Sequence, residues 1–431
     1  MVRVARCTSR NYQFYGPTKL SEVYNASFHI CVWPPPSAPP RIPPLSTFTY
    51  KDNEDMRWCV CKRWGPPSSL SVEEGPPLPD PGKGEVTIAV YACAVNFPDL
   101  LGVQGKYQAK PKLPFAPGGE VAGVVTALGG GCRRFKVGDR VVAFVGVGGF
   151  TTEIIAKERS VAPLPPGMDF VTASSFLVAY GTADYALRVR GNLRSGELVL
   201  VLGASGGVGL AAVQLAKAAG ATVIAAASTE EKLQACRDSG ADLLLNYREP
   251  LSGGGNGGKG VGQGEAGGDW RRALKRLTGG RAIDVVLDNV GGADCETAVR
   301  SLAVGGRYLV VGFASGTIPS PPLNLVLLKE ACVIGVFWGA WREREPAESA
   351  EQMTELVRLY GLGKLKPVVS RVYPLDQAPR ALEDMGARKV IGKVVIETRP
   401  DVRPNDDGSG SSDRSDVGGG RFGSAGAISR L

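Results

Sequence analysis

Apolar and polar residues alternate differently in successive parts of the chain. Residues 56–175 contain short β-rich runs separated by Gly and Pro, which predicts a mostly β unit. Between residues 176 and 320, apolar runs alternate with amphipathic helices, which predicts a parallel sheet. Residues 321–397 predict further strands and one helix near 350–360. The predicted strands are 85–91, 120–127, 140–144, 152–156, 198–202, 222–227, 243–245, 283–287, 308–311 and 392–396, and the helices of the sheet region are 208–219 and 230–239.

Three segments show neither the period of a strand nor that of a helix. Residues 1–55 combine basic residues with a proline cluster and are interpreted as a disordered extension, with an organellar targeting segment as the alternative. Residues 252–268 are mostly glycine, which predicts a flexible surface insertion. Residues 398–431 are rich in Gly, Ser and Asp, which predicts a disordered tail.

The composition narrows the class of protein. With 431 residues, 43% of them hydrophobic, the chain is long enough for two domains with buried cores. The net charge is +8, but basic and acidic residues are mixed, so nucleic-acid binding is not expected. No apolar run of about 18 residues occurs, which argues against a membrane span. The cysteines are scattered except for Cys59 and Cys61, so neither a disulfide framework nor a paired zinc ribbon is expected.

A glycine-rich turn follows the predicted strand 198–202. It reads Gly203-Ala204-Ser205-Gly206-Gly207-Val208-Gly209 and leads directly into an apolar helix. Small residues let the backbone approach a pyrophosphate, whose charge meets free amides and the positive end of the helix dipole. The order of strand, turn and helix therefore predicts a dinucleotide site, against the alternative of an ordinary tight turn. The predicted contacts are Ala204, Ser205, Gly206, Gly207 and Val208.

The end of the next strand, 222–227, indicates which dinucleotide binds. An acidic residue there would accept hydrogen bonds from the ribose hydroxyl of NADH, but this strand ends at Ser228. Lys232 follows one helical turn later, where its ammonium could pair with the 2′-phosphate of NADPH. We therefore predict NADPH as the cofactor. An alternative stays open, because residues 228–231 also match a capping box whose acidic residues could bind a hydroxyl.

Several motifs in the chain resemble those of one family. They are Val95-Asn96-Phe97-Pro98-Asp99, Gln104-Gly105-Lys106-Tyr107, Leu113-Pro114-Phe115-Ala116-Pro117-Gly118-Gly119-Glu120, Gly138-Asp139-Arg140-Val141 and the glycine turn. Together they resemble the quinone oxidoreductase branch of the medium-chain dehydrogenases, over about residues 56–397. The resemblance implies an α/β Rossmann domain, residues 176–320, inserted in a mostly β GroES-like domain, residues 56–175 and 321–397. It also implies a homodimer with the cofactor between the domains.

The resemblance also bears on a catalytic metal. Zinc-dependent members of the superfamily hold the metal with a Cys and a Gly-His-Glu triplet, where this sequence has Asn96 and Gly119. The one histidine of the chain, His29, lies in the predicted extension. We therefore expect no metal site. Without zinc, hydride can still add to the far end of a quinone or an α,β-unsaturated carbonyl.

The resemblance places Asn96, Asp99 and Tyr107 near the nicotinamide as candidate catalytic residues, with Tyr107 as the phenolic donor. The first two could instead cap the helix that follows them, and Tyr107 could be a packing residue. Thr182 is expected on the nicotinamide side and Tyr247 near the adenosine phosphate. The residues expected along the cofactor crevice are Asn289, Gly291, Gly312 and Phe313, at predicted strand ends. Phe337 and Trp338 are expected to wall the substrate pocket, with core packing as the alternative.

The leading hypothesis from the sequence is a zinc-independent, NADPH-dependent reductase that transfers hydride to a quinone or an α,β-unsaturated carbonyl. An enoyl thioester reductase is the alternative enzyme. A non-catalytic NADPH-binding or RNA-binding protein is the alternative from another class. The chain ends in Ser429-Arg430-Leu431, which is similar to a peroxisomal targeting tripeptide and predicts a peroxisomal location, with a cytoplasmic one as the alternative.

Overall fold

The computed structural model describes residues 56–165, 167–248 and 270–399. The predicted extension 1–55, the insertion 252–268 and residues 400–431 lie outside this part of the chain, as do His29 and the C-terminal tripeptide. Within the described ranges the chain forms a β lobe and a Rossmann lobe. No helix in those ranges is long and apolar enough to cross a membrane.

The β lobe begins with short strands whose apolar residues share a core. Its first elements are β1 (Arg57–Val60), β2 (Ser71–Glu74), β3 (Glu85–Val95), α1 (Phe97–Val103), β4 (Glu120–Leu128), β5 (Arg140–Phe144), β6 (Glu153–Lys157) and β7 (Val161–Pro163), with 3₁₀ helices at Pro67–Ser69 and Glu158–Ser160. β1 and β2 form a two-stranded sheet of their own, and the other strands of this lobe join a larger sheet. β3 is central to that sheet because it pairs antiparallel with both β4 and β6, and its side chains are almost all buried.

The Rossmann lobe alternates strands with helices, as the pattern predicts. Its elements are α2 (Phe170–Ser174), which packs on the β lobe, α3 (Leu177–Asp184), a π-helical turn Tyr185–Arg190, β8 (Leu198–Leu202), α4 (Gly207–Ala218), β9 (Thr222–Ala227), α5 (Glu230–Asp238), β10 (Leu243–Asn246), α6 (Trp270–Leu277), β11 (Ile283–Asp288), α7 (Asp294–Ser301) and β12 (Leu302–Val310). β8 lies between β9 and β11, and every one of its residues is buried. A strand covered by helices on both faces reads as one continuous apolar run.

The Rossmann sheet extends beyond the boundary predicted at residue 320. After α8 (Leu323–Leu328), β13 (Cys332–Gly335) pairs in parallel with β12. α9 (Trp338–Arg344) and α10 (Pro346–Gly361) follow, and α10 packs against α3. The predicted domain limits are therefore wrong between 321 and about 361, because the alternation of strand and helix continues to the end of α10. The six parallel strands have the order β10-β9-β8-β11-β12-β13.

The chain returns to the β lobe through β14 (Val369–Pro374), α11 (Ala378–Gly386) and β15 (Lys393–Glu397), with a 3₁₀ helix at Leu375–Gln377. β15 pairs antiparallel with the second half of β3 and completes a seven-stranded sheet. Thr398 is buried, and its backbone N–H donates to the Tyr91 carbonyl oxygen at 3.1 Å. Arg399 Nε donates to the Thr152 carbonyl oxygen at 3.4 Å, so the first two residues of the tail predicted from residue 398 pack on the β lobe.

Candidate active site

The predicted cofactor residues come together along one edge of the Rossmann sheet. They lie in the loops that leave the carboxyl ends of the parallel strands: Ala204 and Ser205 after β8, Ser228 after β9, Tyr247 after β10, Asn289 and Gly291 after β11, and Gly312 and Phe313 after β12. The strand order reverses between β8 and β11. Open α/β sheets bind ligands at such a reversal, so the binding crevice is expected to open at the glycine turn.

The glycine turn presents mostly backbone, because four of its seven residues are glycines. Gly203 has a φ of +66°, a conformation that favours glycine. A Cβ on Gly209 would lie 2.3 Å from the Gly203 carbonyl oxygen. α4 begins at Gly207, and no side chain caps its N-terminus at Gly206. The first amides of α4, Val208 included, stay available to an anion, so this cradle fits the pyrophosphate of a dinucleotide.

The loops after β11 and β12 form a second wall of the crevice. Asn289 donates from Nδ2 to the Leu202 carbonyl oxygen at 3.1 Å, which ties the ends of β8 and β11 together. Gly291 has a φ of +65°, and a Cβ there would lie 2.8 Å from the Phe313 ring. Asp288 Oδ1 accepts the N–H of Gly291 at 3.0 Å. Contacts within the chain therefore fix the shape of this wall.

Ser228 does not cap the helix α5 that follows it. The N-cap is Thr229, whose side chain accepts the N–H of Lys232 at 3.4 Å. The alternative of a capping box that starts at Ser228 is therefore wrong. The Ser228 side chain is instead hydrogen bonded to that of Tyr247. Two predicted contacts of the adenosine phosphate thus form one polar site.

Three cationic side chains gather near the Ser228–Tyr247 pair. Lys232 Nζ donates to the backbone carbonyl oxygen of Arg388 at 2.8 Å. Burial and the charges of Arg248 and Arg388 lower the pKa of Lys232. An anion relieves mutual repulsion of this kind, and a 2′-phosphate is such an anion. Lys232 is recognisable from the sequence pattern, whereas Arg248 and Arg388 were not predicted. Arg388 lies 156 residues further along the chain than Lys232.

On the β-lobe side, Asn96 belongs to a buried polar network. Its Oδ1 accepts from Lys393 Nζ at 2.6 Å, and its Nδ2 donates to Glu120 Oε2 at 3.3 Å. Lys393 Nζ lies 3.6 Å from the same carboxylate oxygen. Burial raises the pKa of Glu120, whereas the Lys393 charge lowers it. The network therefore holds a positive charge and a compensating carboxylate beside Asn96.

Asp99 links the start of α1 to the loop before β4. Its two oxygens accept the N–H groups of Asn96, at 2.7 Å, and of Gly118, at 3.1 Å. Burial raises the pKa of Asp99 to about 7, although the hydrogen bonds from these two N–H groups lower it. Asp99 thus makes the helix-capping contact that the sequence analysis gave as an alternative, and its catalytic role stays a prediction.

Tyr107 follows α1 and is half-buried. Burial and the charge of Asp99 raise the pKa of Tyr107, so its hydroxyl keeps its proton at neutral pH. Within the described ranges this hydroxyl has no hydrogen-bond partner. It therefore remains available as a donor, and its contact with a substrate stays a prediction.

The two lobes meet where β15 begins. The Gly392 N–H donates to the Ser205 carbonyl oxygen at 2.7 Å. The Lys393 side chain passes beside Gly207, where a Cβ would lie 2.6 Å from Lys393 Cδ. Lys393 thus runs from the glycine turn to Asn96. Lys393 was not predicted from the sequence, because a lysine at the start of a strand is usually an exposed surface residue.

α3 and α9 bring aromatic residues close to this network. A Cβ on Gly181 would lie 2.5 Å from the Trp338 ring, so Trp338 covers the helical turn that carries Thr182. Trp338 also packs edge-on against Phe144, with ring centroids 5.5 Å apart. Trp338 is buried, whereas Phe337 is 61% exposed. Trp338 therefore packs in the core, which was the alternative, and its place in the wall of the substrate pocket stays a prediction.

The residues at the expected zinc positions do not fit a metal ion. Asn96 and Gly119 stand at the ligand positions, and a Cβ on Gly119 would lie 3.0 Å from the Gly146 carbonyl oxygen. The Lys393 ammonium beside Asn96 would repel a second cation. The described part of the chain contains no group of three or more His, Cys, Asp or Glu residues that could hold a metal. The donor set therefore does not support a zinc site.

Known protein families match both lobes. Residues 82–166 match the alcohol dehydrogenase GroES-like domain, and residues 207–357 match the family described as zinc-binding dehydrogenase. The chain is 34% identical over 349 residues to the quinone oxidoreductase-like protein 2 homolog of Nematostella vectensis, covering 80% of this chain and 90% of that protein. It is 35% identical over 331 residues to quinone oxidoreductase-like protein 2 of Bos taurus, covering 77% and 89%.

A solved structure shares the fold. The quinone oxidoreductase of Escherichia coli complexed with NADPH has a TM-score of 0.69 and 29% identity, covering 80% of this chain and 99% of that chain. The chain belongs to the medium-chain dehydrogenases, in their quinone oxidoreductase family. The family and the fold class predicted from the sequence are confirmed. Among the described residues, no donor set matches the metal in one family description.

Proposed function

We propose that this protein is an NADPH-dependent reductase that transfers hydride to a quinone or an α,β-unsaturated carbonyl. The observation that carries the proposal is that the dinucleotide cradle contacts the start of β15, whose Lys393 reaches Asn96. Asn96 stands at a position where zinc-dependent members of the superfamily have a metal ligand. NADPH is supported by the cluster of Lys232, Arg248 and Arg388, and by the NADPH complex of the Escherichia coli relative. When bound, NADPH supplies the hydride.

Residues of the β lobe stabilise the charge that develops on the acceptor in the proposed reaction. When hydride adds to a conjugated carbonyl, negative charge moves to the carbonyl oxygen, where a hydrogen-bond donor stabilises it. Tyr107 is the donor that we propose, because its raised pKa keeps the hydroxyl protonated. Lys393 holds Asn96 and Glu120 in position and adds a positive charge beside them.

A panel of acceptors tests the proposed reaction. Purified full-length protein is mixed with NADPH and with menadione, an enone or crotonyl-CoA, and the loss of NADPH absorbance is followed. We expect turnover of the quinone or the enone. Turnover of crotonyl-CoA alone would favour an enoyl thioester reductase instead. NADPH binding without turnover of any acceptor would favour a non-catalytic protein and overturn the proposal.

We further propose that a second copy of the chain pairs along the open edge of the Rossmann sheet. In the described residues, β13 pairs on one side only, with β12. Exposed apolar side chains accompany this edge, and they are Val304, Leu323, Leu327, Leu328 and Val333. An unpaired strand edge with exposed apolar side chains is typical of an interface. A homodimer is therefore the assembly that we propose.

The location of the protein stays a prediction from Ser429-Arg430-Leu431, which lies outside the described residues. We propose a peroxisomal location on this sequence, because receptors read a tripeptide of this kind. A fluorescent fusion that ends at Leu431 is expected to give a punctate signal, which deletion of Leu431 disperses. A diffuse signal from the intact fusion would favour the cytoplasm.

A further inference from the structure

Arg342, on α9, is a half-buried cation on an aromatic wall. Its guanidinium carbon lies 4.8 Å from the centroid of the Phe144 ring and 5.1 Å from that of the Trp338 ring. Burial lowers the pKa of Arg342, whereas the charges of Glu343 and Glu120 raise it. The rings attract the cation, but they offer its five N–H groups no oxygen acceptor.

No carboxylate among the described residues pairs directly with this guanidinium. Within the same part of the chain, none of its N–H groups donates a hydrogen bond. The buried carboxylate nearby, Glu120, is already paired with Lys393. The N–H groups of Arg342 stay in contact with solvent, so they can exchange water for an anion. The position therefore suits an anionic group that arrives with a ligand.

Arg342 lies near the network of Asn96, Glu120 and Lys393, where we propose that the acceptor binds. Phe144 is the register partner of Glu120 in the paired strands β5 and β4. Glu120 in turn is hydrogen bonded to Asn96. Trp338, the other ring beneath Arg342, packs on α3, the helix that carries the expected nicotinamide contact. The Phe144 and Trp338 rings therefore connect α3, where the nicotinamide is expected, with the network around Asn96.

We propose that Arg342 binds an anionic group of the acceptor, so that the preferred substrates are conjugated carbonyl compounds that carry a carboxylate or another anionic oxygen group. This inference rests on the proposed reductase function. A guanidinium donates two parallel N–H groups to such an anion. The apolar conjugated part of the same molecule can then lie along Phe144 and Trp338. A neutral acceptor gains only this second contact.

Matched acceptors with and without an anionic group test the inference. The full-length wild type and Arg342→Met are assayed with NADPH and either naphthoquinone or naphthoquinone sulfonate. The substitution should raise the KM for the sulfonate about 10- to 100-fold, which is the range of a lost charge-assisted hydrogen bond. The KM for neutral naphthoquinone should change by less than about threefold.

Arg344→Met is the matched control, because Arg344 lies on the same helix but is exposed and near Glu345, at 3.8 Å. It should change neither KM. Equal KM increases for both acceptors in Arg342→Met, or no increase for the sulfonate, would overturn the inference. If Arg342→Met does not fold, Arg342→Lys replaces it. This variant keeps the charge without the planar donors, and it should still raise the KM for the sulfonate selectively.

Direct binding separates this inference from the proposed reaction. If the wild type reduces no acceptor, the proposed function fails, and calorimetry with naphthalene sulfonate then decides the role of Arg342. The protein with NADPH bound should take up the sulfonate, and Arg342→Met should weaken this binding about 10-fold or more. Equal affinity of the two proteins would refute an anion site at Arg342.

Discussion

Lys393 is the buried cation whose removal should affect folding most. Lys393→Met leaves the Glu120 carboxylate buried without its counter-charge. We expect the free energy of unfolding to fall by about 3–5 kcal/mol, as is usual when one partner of a buried pair is removed. The double variant Lys393→Met/Glu120→Gln should recover at least half of this loss, because no unpaired charge remains. Urea unfolding followed by circular dichroism measures both changes.

Lys389→Met is the control for this pair, since Lys389 is exposed and lies 4.0 Å from Asp384. It should change the free energy of unfolding by less than about 1 kcal/mol. A double variant that is no more stable than Lys393→Met would show that lost packing, and not the unpaired Glu120 charge, causes the destabilisation.

Tyr107→Phe tests the proposed hydrogen-bond donor. The substitution removes one hydroxyl and leaves the ring, so kcat with a quinone should fall about 10-fold. The KM for NADPH should stay the same, because the substitution keeps the ring and the proposed partner of the hydroxyl is the acceptor, not the cofactor. Steady-state kinetics with varied NADPH separate the two constants. An unchanged kcat would exclude Tyr107 as the donor.

Lys232→Glu tests the cofactor assignment. The variant replaces one cation near Arg248 and Arg388 with a carboxylate that repels a 2′-phosphate. The KM for NADPH should rise about 10- to 100-fold, whereas the KM for NADH, which lacks this phosphate, should change by less than about threefold. Steady-state assays with the two nucleotides give both values. Equal increases would refute the assignment of Lys232 to the phosphate.

The residues that the sequence analysis found are those whose signal is local. The glycine turn and Lys232 follow their strands within a few residues, so a single window of sequence contains the whole pattern. Lys393 and Arg388 act on groups in distant parts of the chain: Lys393 is 297 residues from Asn96. Arg342 can be recognised as a candidate binding residue only from the two aromatic rings that the fold places beside it. Such contacts have no period and no motif.

At the scale of elements, the βα unit β8–α4 carries the clearest prediction. A Cβ on Gly209 would lie 2.3 Å from one backbone oxygen of the turn, which cannot move aside as a flexible side chain would. Gly209→Ala should therefore distort the turn, weaken NADPH binding at least about 10-fold and cost about 1–3 kcal/mol of unfolding free energy. Calorimetric titration with NADPH and thermal unfolding measure the two effects.

Gly130→Ala provides the matched comparison, since a Cβ on Gly130 meets no atom within 4 Å. It should bind NADPH like the wild type. If the Gly209 variant also bound NADPH normally, the close backbone approach would not be required for the cofactor.

Element boundaries were predictable where a buried strand is flanked by glycine or polar residues. The strands predicted at 198–202 and 222–227 agree with β8 and β9 residue by residue. β13 was assigned to the wrong lobe, because a short edge strand shows the same apolar run whichever sheet it joins. Only its pairing with β12 decides its membership, and pairing is a property of the tertiary fold.

At the scale of the whole molecule, the open edge at β13 predicts the assembly. Leu327, 76% exposed, is one of the apolar residues that accompany this edge, and Leu327→Glu places a charge among them. Light scattering should give twice the chain mass for the wild type and a single chain mass for the variant. Val137→Glu, at an exposed position of the β lobe, should leave the mass unchanged. A wild type that is a monomer would contradict the proposed dimer.

The bond between the Gly392 N–H and the Ser205 carbonyl oxygen fixes one point of contact between the lobes. An opening of the cleft that preserves this bond has to be a rotation about that point. Displacement in a rotation grows with distance from the axis, so the pyrophosphate cradle changes least and the far end of the cleft opens widest. An acceptor can then exchange at the far end while the cradle keeps its shape, which favours a cofactor that enters first and leaves last.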